Sequence, residues 1–187
     1  MSVTPLTPPA DEPLSLAAAR AWLRVDGEDE DALITALVAA SRETVETLAG
    51  RRLMAQGWRI TRDSWPEDGC IRLPLGPVLA LDAVRLIDAQ GAAMPLPLAA
   101  FRLDGNRQPP LIETIAMVPA PVLARGGIEI DVTCGFGANP DDVPEALRQA
   151  MRLLIAHWFE NRGDAASRNA LPEGVGALVA PFRMPRL

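Results

Sequence analysis

Hydrophobic residues recur at helical spacing in three stretches of the chain. In residues 31–49 they fall three or four positions apart from Leu33 to Leu48, which predicts an amphipathic helix. Gly50 follows at the position where such a helix would end. This stretch is therefore predicted to bury one face against another region of the protein.

Two further helices flank the centre of the chain. A short one is predicted over residues 16–23, because Ser15 is a favourable N-cap residue. A longer one is predicted over about 142–161, where an aspartate and a glutamate at capping-box spacing precede the apolar positions. Its apolar stripe comprises Leu147, Met151, Leu154, Ile155 and Trp158.

The period of the pattern changes between these helices. In residues 128–134, apolar and polar residues alternate one by one, as in a strand with one buried face. Shorter alternating runs surround Trp58, Ile71 and Val84. Many prolines lie among them, which favours edge strands and loops. Residues 54–135 are therefore predicted to form a small β-region.

The order of these elements predicts an α+β fold. We expect a helical core, made of two N-terminal helices and a long C-terminal helix, with an inserted small antiparallel β-region. The helical core is contributed by two separate segments of the chain, residues 14–53 and residues 136–162, on either side of the β-rich insertion (54–135). A flexible N-terminal arm (1–13) precedes the core, and a C-terminal tail (163–187) follows it.

Composition and charge narrow the function. The 187 residues carry a net charge of −6, every basic residue is an arginine, and tyrosine is absent. A nucleic-acid-binding protein needs a basic face, so that class is disfavoured. No apolar run reaches the length of a membrane span, and the N-terminus lacks the features of a secretion signal. Cys70 and Cys134 have no metal-ligand spacing and are expected to be reduced thiols.

Three places in the sequence are candidates for chemistry. His157, the single histidine, lies beside the apolar stripe of the third helix and is best explained by packing. The GFGAN segment at 135–139 has only two of the three glycines of a phosphate loop, and acids follow it, so it is interpreted as a turn. The acidic residues 28–31 lack the order of a calcium loop. We therefore assign no catalytic residue, metal or cofactor, and expect no enzyme activity.

The end of the chain is unusual for a disordered tail. The sequence APFRMPRL keeps Phe182, Met184 and Leu187 with arginines between them. Apolar anchors next to arginine are typical of protein interfaces. The residues leave open whether this segment is a frayed end or a peptide that docks on a partner.

Several motifs together resemble one family. They are the L-R-x-D-x-x-x-E-D-A-L run from Leu23, the G-F-G and D-V-P-x-A-L-R-Q-A junction after Cys134, and H-W-F-E-N-R at the end of the third helix. In this order they are similar to the phage head–tail connector proteins, also called adaptors or head-completion proteins, of tailed phages, prophages and gene transfer agents. The resemblance covers about Leu14 to Arg183.

The resemblance implies a structural role at the head–tail junction of a virion or phage-like particle, assembled in the host cytoplasm. Members form a ring, typically of twelve copies, beneath the portal protein. The ring extends the DNA channel, through which DNA passes without specific binding, and joins a neck, stopper or tail-terminator protein. No membrane is involved. In related assemblies the C-terminal segment reaches the portal, which here implies the residues Leu171, Val175, Leu178, Phe182, Arg183, Met184, Arg186 and Leu187.

Three alternatives stay open at this stage. One is another neck or tail-completion protein with a similar helical body. The second is a small hydrolase centred on His157. The third is a nucleic-acid-binding regulator, which the net charge of −6 disfavours.

Overall fold

The structure is a computed structural model, and it describes residues 1–105, 107–162 and 171–184. The chain divides into two compact units. The helical unit is formed by Asp11–Met54 and Gly137–Arg183, and the sheet unit by Met1–Ala10, Ala55–Phe136 and the chain from Met184. Each unit is described by itself below.

The helical unit contains four α-helices within the described residues: α1 (Leu16–Leu23), α2 (Asp31–Ala49), α3 (Glu145–Glu160) and α4 (Val175–Val179). Two short 3-10 helices, Pro140–Asp142 and Ala180–Phe182, precede α3 and follow α4.

Local signals account for the ends of the first two helices. The Ser15 hydroxyl accepts a hydrogen bond from the Ala18 amide at 3.1 Å, which caps α1 as predicted. Gly50 ends α2 with a φ of 65°, a left-handed conformation that glycine adopts without strain. The third helix begins later than predicted, at Glu145, because Asp142 closes the preceding 3-10 turn instead.

One apolar core joins the helices of this unit. Helix α2 contributes a buried stripe that includes Ile34, Val38 and Val45, and α3 contributes Leu147, Met151 and Leu154. Helix α4 packs against both α2 and α3. The amphipathic patterns of α2 and α3 are thus explained by mutual burial.

The sheet unit contains eight strands within the described residues, arranged in two antiparallel sheets. The five-stranded sheet has the order β1-β2-β8-β4-β5, and the three-stranded sheet has the order β3-β7-β6. The bounds are β1 (Ser2–Thr7), β2 (Gln56–Arg62), β3 (Cys70–Arg72), β4 (Val78–Ile87), β5 (Ala93–Leu96), β6 (Phe101–Asp104), β7 (Leu111–Thr114) and β8 (Ile128–Cys134).

Both sheets contribute to a single apolar core. It contains Ile60 from β2, Ile71 from β3, Ile112 from β7 and Ile130 from β8, each fully buried. The alternation predicted for residues 128–134 is confirmed, since Ile128, Ile130, Val132 and Cys134 all lie on the core side. The sheet unit therefore has a hydrophobic interior of its own.

The predicted fold class, a helical core with a small inserted β-region, is wrong. The described residues form four helices and eight strands in two antiparallel sheets, and the chain begins with a strand. Ser2–Thr7, which was expected within a flexible arm, forms β1 and pairs antiparallel with β2. Pro5 is tolerated there because β1 is an edge strand, where a missing amide hydrogen breaks no inner ladder.

Candidate functional site

The C-terminal segment, predicted to bind the portal, folds onto the helical unit over most of its described length. Val175, in α4, is fully buried, while Leu178 and Phe182 are half-buried. Leu171 and Arg183 are exposed. Val175 thus belongs to the interior of the unit. The solvent-accessible surface of the segment is formed by the other predicted residues, such as Leu171 and Arg183.

Two elements fix this segment. Helix α4 packs on α3. Arg51, just after α2, is buried, and its Nε donates a hydrogen bond to the carbonyl oxygen of Phe182. Burial lowers the pKa of the Arg51 guanidinium, because a cation loses hydration there. Arg51, which follows α2, therefore anchors the short 3-10 helix Ala180–Phe182 that follows α4.

The remaining residues of the prediction lie further along the chain. Met184 is half-buried and belongs to the sheet unit, where its sulfur borders Gly76. Arg186 and Leu187 lie outside the described residues. The structure thus brings Phe182 and α4 together on the helical unit and leaves Arg183 accessible.

The sheet unit carries a partly buried ion cluster, centred on the buried Asp131, that the sequence did not predict. The Asp131 carboxylate on β8 accepts hydrogen bonds from Arg59 Nε at 2.7 Å and Arg59 Nη2 at 3.0 Å, and a further one from Arg85. Glu129 pairs with Arg59 at 3.0 Å. The three strands β2, β8 and β4 are thereby joined across one face of the sheet.

The charges around Asp131 keep its carboxyl group ionised. Burial by itself raises the pKa of the carboxyl, but hydrogen bonds from Arg59 and Arg85 and their positive charges outweigh burial and leave the pKa of Asp131 lowered. A carboxyl that stays ionised cannot donate a proton near neutral pH. The cluster therefore stabilises the sheet and is unsuited to acid catalysis.

A second accessible surface is the loop between β7 and β8. Ile115 is 56% exposed, Met117 100% and Val122 74%. The loop has one contact with Trp65, whose indole Nε1 donates a hydrogen bond to the Pro119 carbonyl at 2.8 Å. Exposed apolar residues mark an interaction site only where they form a contiguous patch, so this loop is a weaker candidate than the C-terminal segment.

Two of the positions considered as candidates for chemistry, His157 and the GFGAN segment, make contacts within the helical unit or its connecting turn. His157 is half-buried at the end of α3, and its carbonyl accepts a hydrogen bond from the Asn161 side chain at 2.8 Å. In the GFGAN segment, the Asp142 carboxylate accepts from the Asn139 amide at 2.9 Å. It approaches so closely that a Cβ at Gly137 would lie 2.0 Å from its Oδ2. The Asp142 carboxylate thus closes this segment as a turn, as predicted.

The described residues also bear on metal binding, thiol chemistry and membrane insertion. No group of three or more histidine, cysteine, aspartate or glutamate residues is arranged among them to hold a metal ion. Cys134 is buried and Cys70 half-buried, and neither forms a disulfide bond within the described residues. No described helix is long and apolar enough to cross a membrane.

Comparison with known proteins defines the class of protein to which this fold belongs. The model of the phage gp6-like head-tail connector protein family matches residues 13–87. No curated protein is significantly similar to the chain.

Three chains of solved structures are similar over the whole length. One is from the neck of an empty gene transfer agent (GTA) particle computed with C6 symmetry, with 33% identity and a TM-score of 0.86. Another is from the virion of the native GTA particle, with 33% identity and a TM-score of 0.84. A third, from the neck of the native particle computed with C12 symmetry, has 32% identity and a TM-score of 0.78. Each match covers 100% of this chain and 97% of the other.

The chain therefore belongs to the phage head–tail connector family. The resemblance found in the sequence is confirmed, and its motifs lie within the region that the structural relatives cover.

Proposed function

We propose that the chain is the connector subunit of a phage-like particle, and that twelve copies form a ring between the portal and the next neck or tail protein. The observation that carries the proposal is the likeness, at 32% identity and over the full length, to a chain from a GTA particle neck computed with C12 symmetry. A ring of identical copies needs a head-to-tail interface that closes.

The charge of the chain supports a passage for DNA. With a net charge of −6, a ring of twelve copies offers few sites that would release counterions from DNA phosphates. Without that release, binding is weak, and DNA can move past the wall. The ring would thus extend the DNA channel of the portal without specific binding.

Removal of the gene from a particle-producing cell tests the proposal. We expect filled heads and unattached tails to accumulate, because the joining subunit is missing. A copy supplied separately should restore joined particles, and electron microscopy of the neck would then give the number of copies. Tailed, infective or DNA-transferring particles without the chain would refute the proposal.

The portal contact is assigned to the end of the C-terminal segment. Since Val175 is an interior residue, the docking surface is formed by Leu171, Leu178, Phe182 and the residues from Arg183 onward. Deletion of residues 183–187 should lower co-purification with assembled portal by at least about tenfold while the thermal unfolding temperature changes little. A matched control is Met94→Ser on β5, which alters an exposed apolar residue elsewhere. Undiminished portal binding by the deletion variant would contradict the assignment.

The hydrolase alternative is tested at His157. If the chain only assembles, His157→Ala should leave the yield of joined particles within about twofold of wild type. The expected cost in stability is below about 1 kcal/mol, because the side chain is only half-buried and lies near the end of α3. Hydrolysis of a panel of esters and phosphate esters by the wild-type protein, lost in the variant, would instead support an enzyme.

A further inference from the structure

Helix α2 carries two parallel stripes, and the described part of the chain fully buries only one of them. The core stripe, which includes Ile34, Val38 and Val45, is buried. One position earlier at each turn runs a second stripe of half-buried residues: Leu33, Leu37, Ala40, Thr44 and Leu48. At 1.5 Å per residue this stripe is about 22 Å long.

The second stripe forms one wall of an apolar groove. Trp158 of α3 and Arg162, which follows that helix, form the other wall, and the groove has a volume of about 450 Å³. It continues along α2 past Thr44 to Thr47 and Leu48, where Glu43 lies at the rim. We call this surface, from Leu33 to Leu48 with Trp158 and Arg162, the α2–α3 groove. A groove of this length and polarity fits an amphipathic helix.

Helix α1 presents a matching protrusion. Trp22 is 44% exposed, although a tryptophan side chain is large and mostly apolar. Arg24, which follows α1, is exposed and makes no ion pair with residues 1–105, 107–162 or 171–184. Tryptophan and arginine are the residues most enriched at the energetic centres of interfaces. The segment from Ser15 to Arg24 contains no acid, whereas Glu43 at the rim of the groove has a side chain that is 70% exposed.

The groove and α1 lie on opposite flanks of α2. The residues of α2 that meet α1 and the segment before it are Asp31, which pairs with Arg20, Thr35, which lines a cleft with Leu16, and Arg42, which binds Glu12. At 100° per residue they lie roughly 160° around the helix from the groove stripe. Helix α2 thus separates the protruding surface of α1 from the concave α2–α3 groove.

A head-to-tail ring requires two different surfaces on each copy, and the groove and α1 offer such a pair. In a head-to-tail ring every copy uses two different patches, and in a ring of twelve these face about 150° apart. We propose that the α2–α3 groove receives α1 of a second copy, with Trp22 in the groove and Arg24 beside Glu43, and that this contact joins neighbouring copies. The inference rests on the proposed ring, and adds the two surfaces that close it.

Photo-crosslinking in purified particles tests the contact. The photoreactive residue p-benzoylphenylalanine is placed at position 22, or reciprocally at position 44 in the groove. A control carries it at position 94 in β5, which is exposed on the sheet unit. Irradiation at position 22 should join the chain to a second copy through residues 33–48 or 158–162, and position 44 should join it to residues 15–24. For positions 22 and 44, we expect the yield of crosslinks to the stated segment of the second copy to be at least tenfold higher than the yield of crosslinks from position 94 to that same segment.

Three results would overturn the inference. They are crosslinks from position 22 to the portal or another particle protein, crosslinks to a different segment of the chain, and no crosslink at all from a variant that is incorporated as well as the control. The proposed function fails separately, if the chain is absent from the neck of the particle. Because incorporation is measured on the same samples before irradiation, the two failures are distinguishable.

Discussion

Replacing Val175 by aspartate should lower the free energy of unfolding of the helical unit by about 4 kcal/mol. Val175 is 0% exposed and lies in α4, which packs against α3. The substitution removes apolar contacts and places a carboxylate where no water can hydrate it. Chemical denaturation followed by circular dichroism at 222 nm would measure the change.

Leu178→Asp is the matched control, since Leu178 belongs to the same short helix but is half-buried. We expect it to cost less than about 1 kcal/mol, as is usual for substitutions away from the core. If both variants lost the same stability, α4 would not be anchored through Val175.

The burial of Val175 also decides which deletion can test portal docking. Deletion of the whole segment from Leu171 would remove a portion of the core of the helical unit, whereas deletion from Arg183 leaves that core intact and removes one half-buried residue, Met184, from the sheet unit.

Local features of the sequence determine much of the helical unit. Ser15 caps α1, and Gly50 ends α2, because capping depends on residues only a few positions away. The periodic stripe of α3 is likewise recognisable without knowledge of its partner. The bounds of these helices could therefore be predicted accurately, except at the start of α3. The helix was predicted from about residue 142 but begins at Glu145, after the 3-10 turn that Asp142 closes.

The architecture of the sheet unit depends on pairing between distant residues. Ser2 faces Thr61 across β1 and β2, and nothing in the first ten residues specifies that partner. Prolines and several polar residues in that segment favour a loose arm when they are read alone. The β-content was underestimated because several strands have only three or four residues, too few to establish an alternating pattern.

The same limit applies to the functional surfaces. The apolar residues of the C-terminal segment were recognised as anchors, but a helix of five residues does not reveal which of them points inward. Arg51 and Phe182 are 131 positions apart, and Arg59 and Asp131 are 72 apart, so their contacts exist only in the folded chain. A sequence shows which groups are available, and the pairing of strands and helices decides which of them meet.

The second large effect is expected at Asp131. Asp131→Asn should lower the free energy of unfolding of the sheet unit by about 2–3 kcal/mol at pH 7, the range for hydrogen bonds to charged groups. The variant keeps the size of the side chain but leaves Arg59 and Arg85 beside each other without the carboxylate that both contact. Thermal or chemical denaturation in a Trp22→Phe, Trp158→Phe background, followed by the fluorescence of Trp58 and Trp65 in this unit, would measure it.

The pH dependence of that difference identifies its cause. Since the pKa of Asp131 is lowered in the folded protein, its contribution is fully present above the pKa of an unfolded aspartate, about 4, and is lost as the pH falls through the folded value. The gap between wild type and Asp131→Asn should therefore be constant from pH 7 to 5 and shrink below about pH 4. Glu129→Gln is the control, because Glu129 pairs only with Arg59 among the ion pairs of the described chain and is more exposed, at 21% against 9% for Asp131. It should cost less than about 1 kcal/mol. A gap for Asp131→Asn that persists unchanged to pH 2 would show that packing, and not the charge of the carboxylate, joins the three strands.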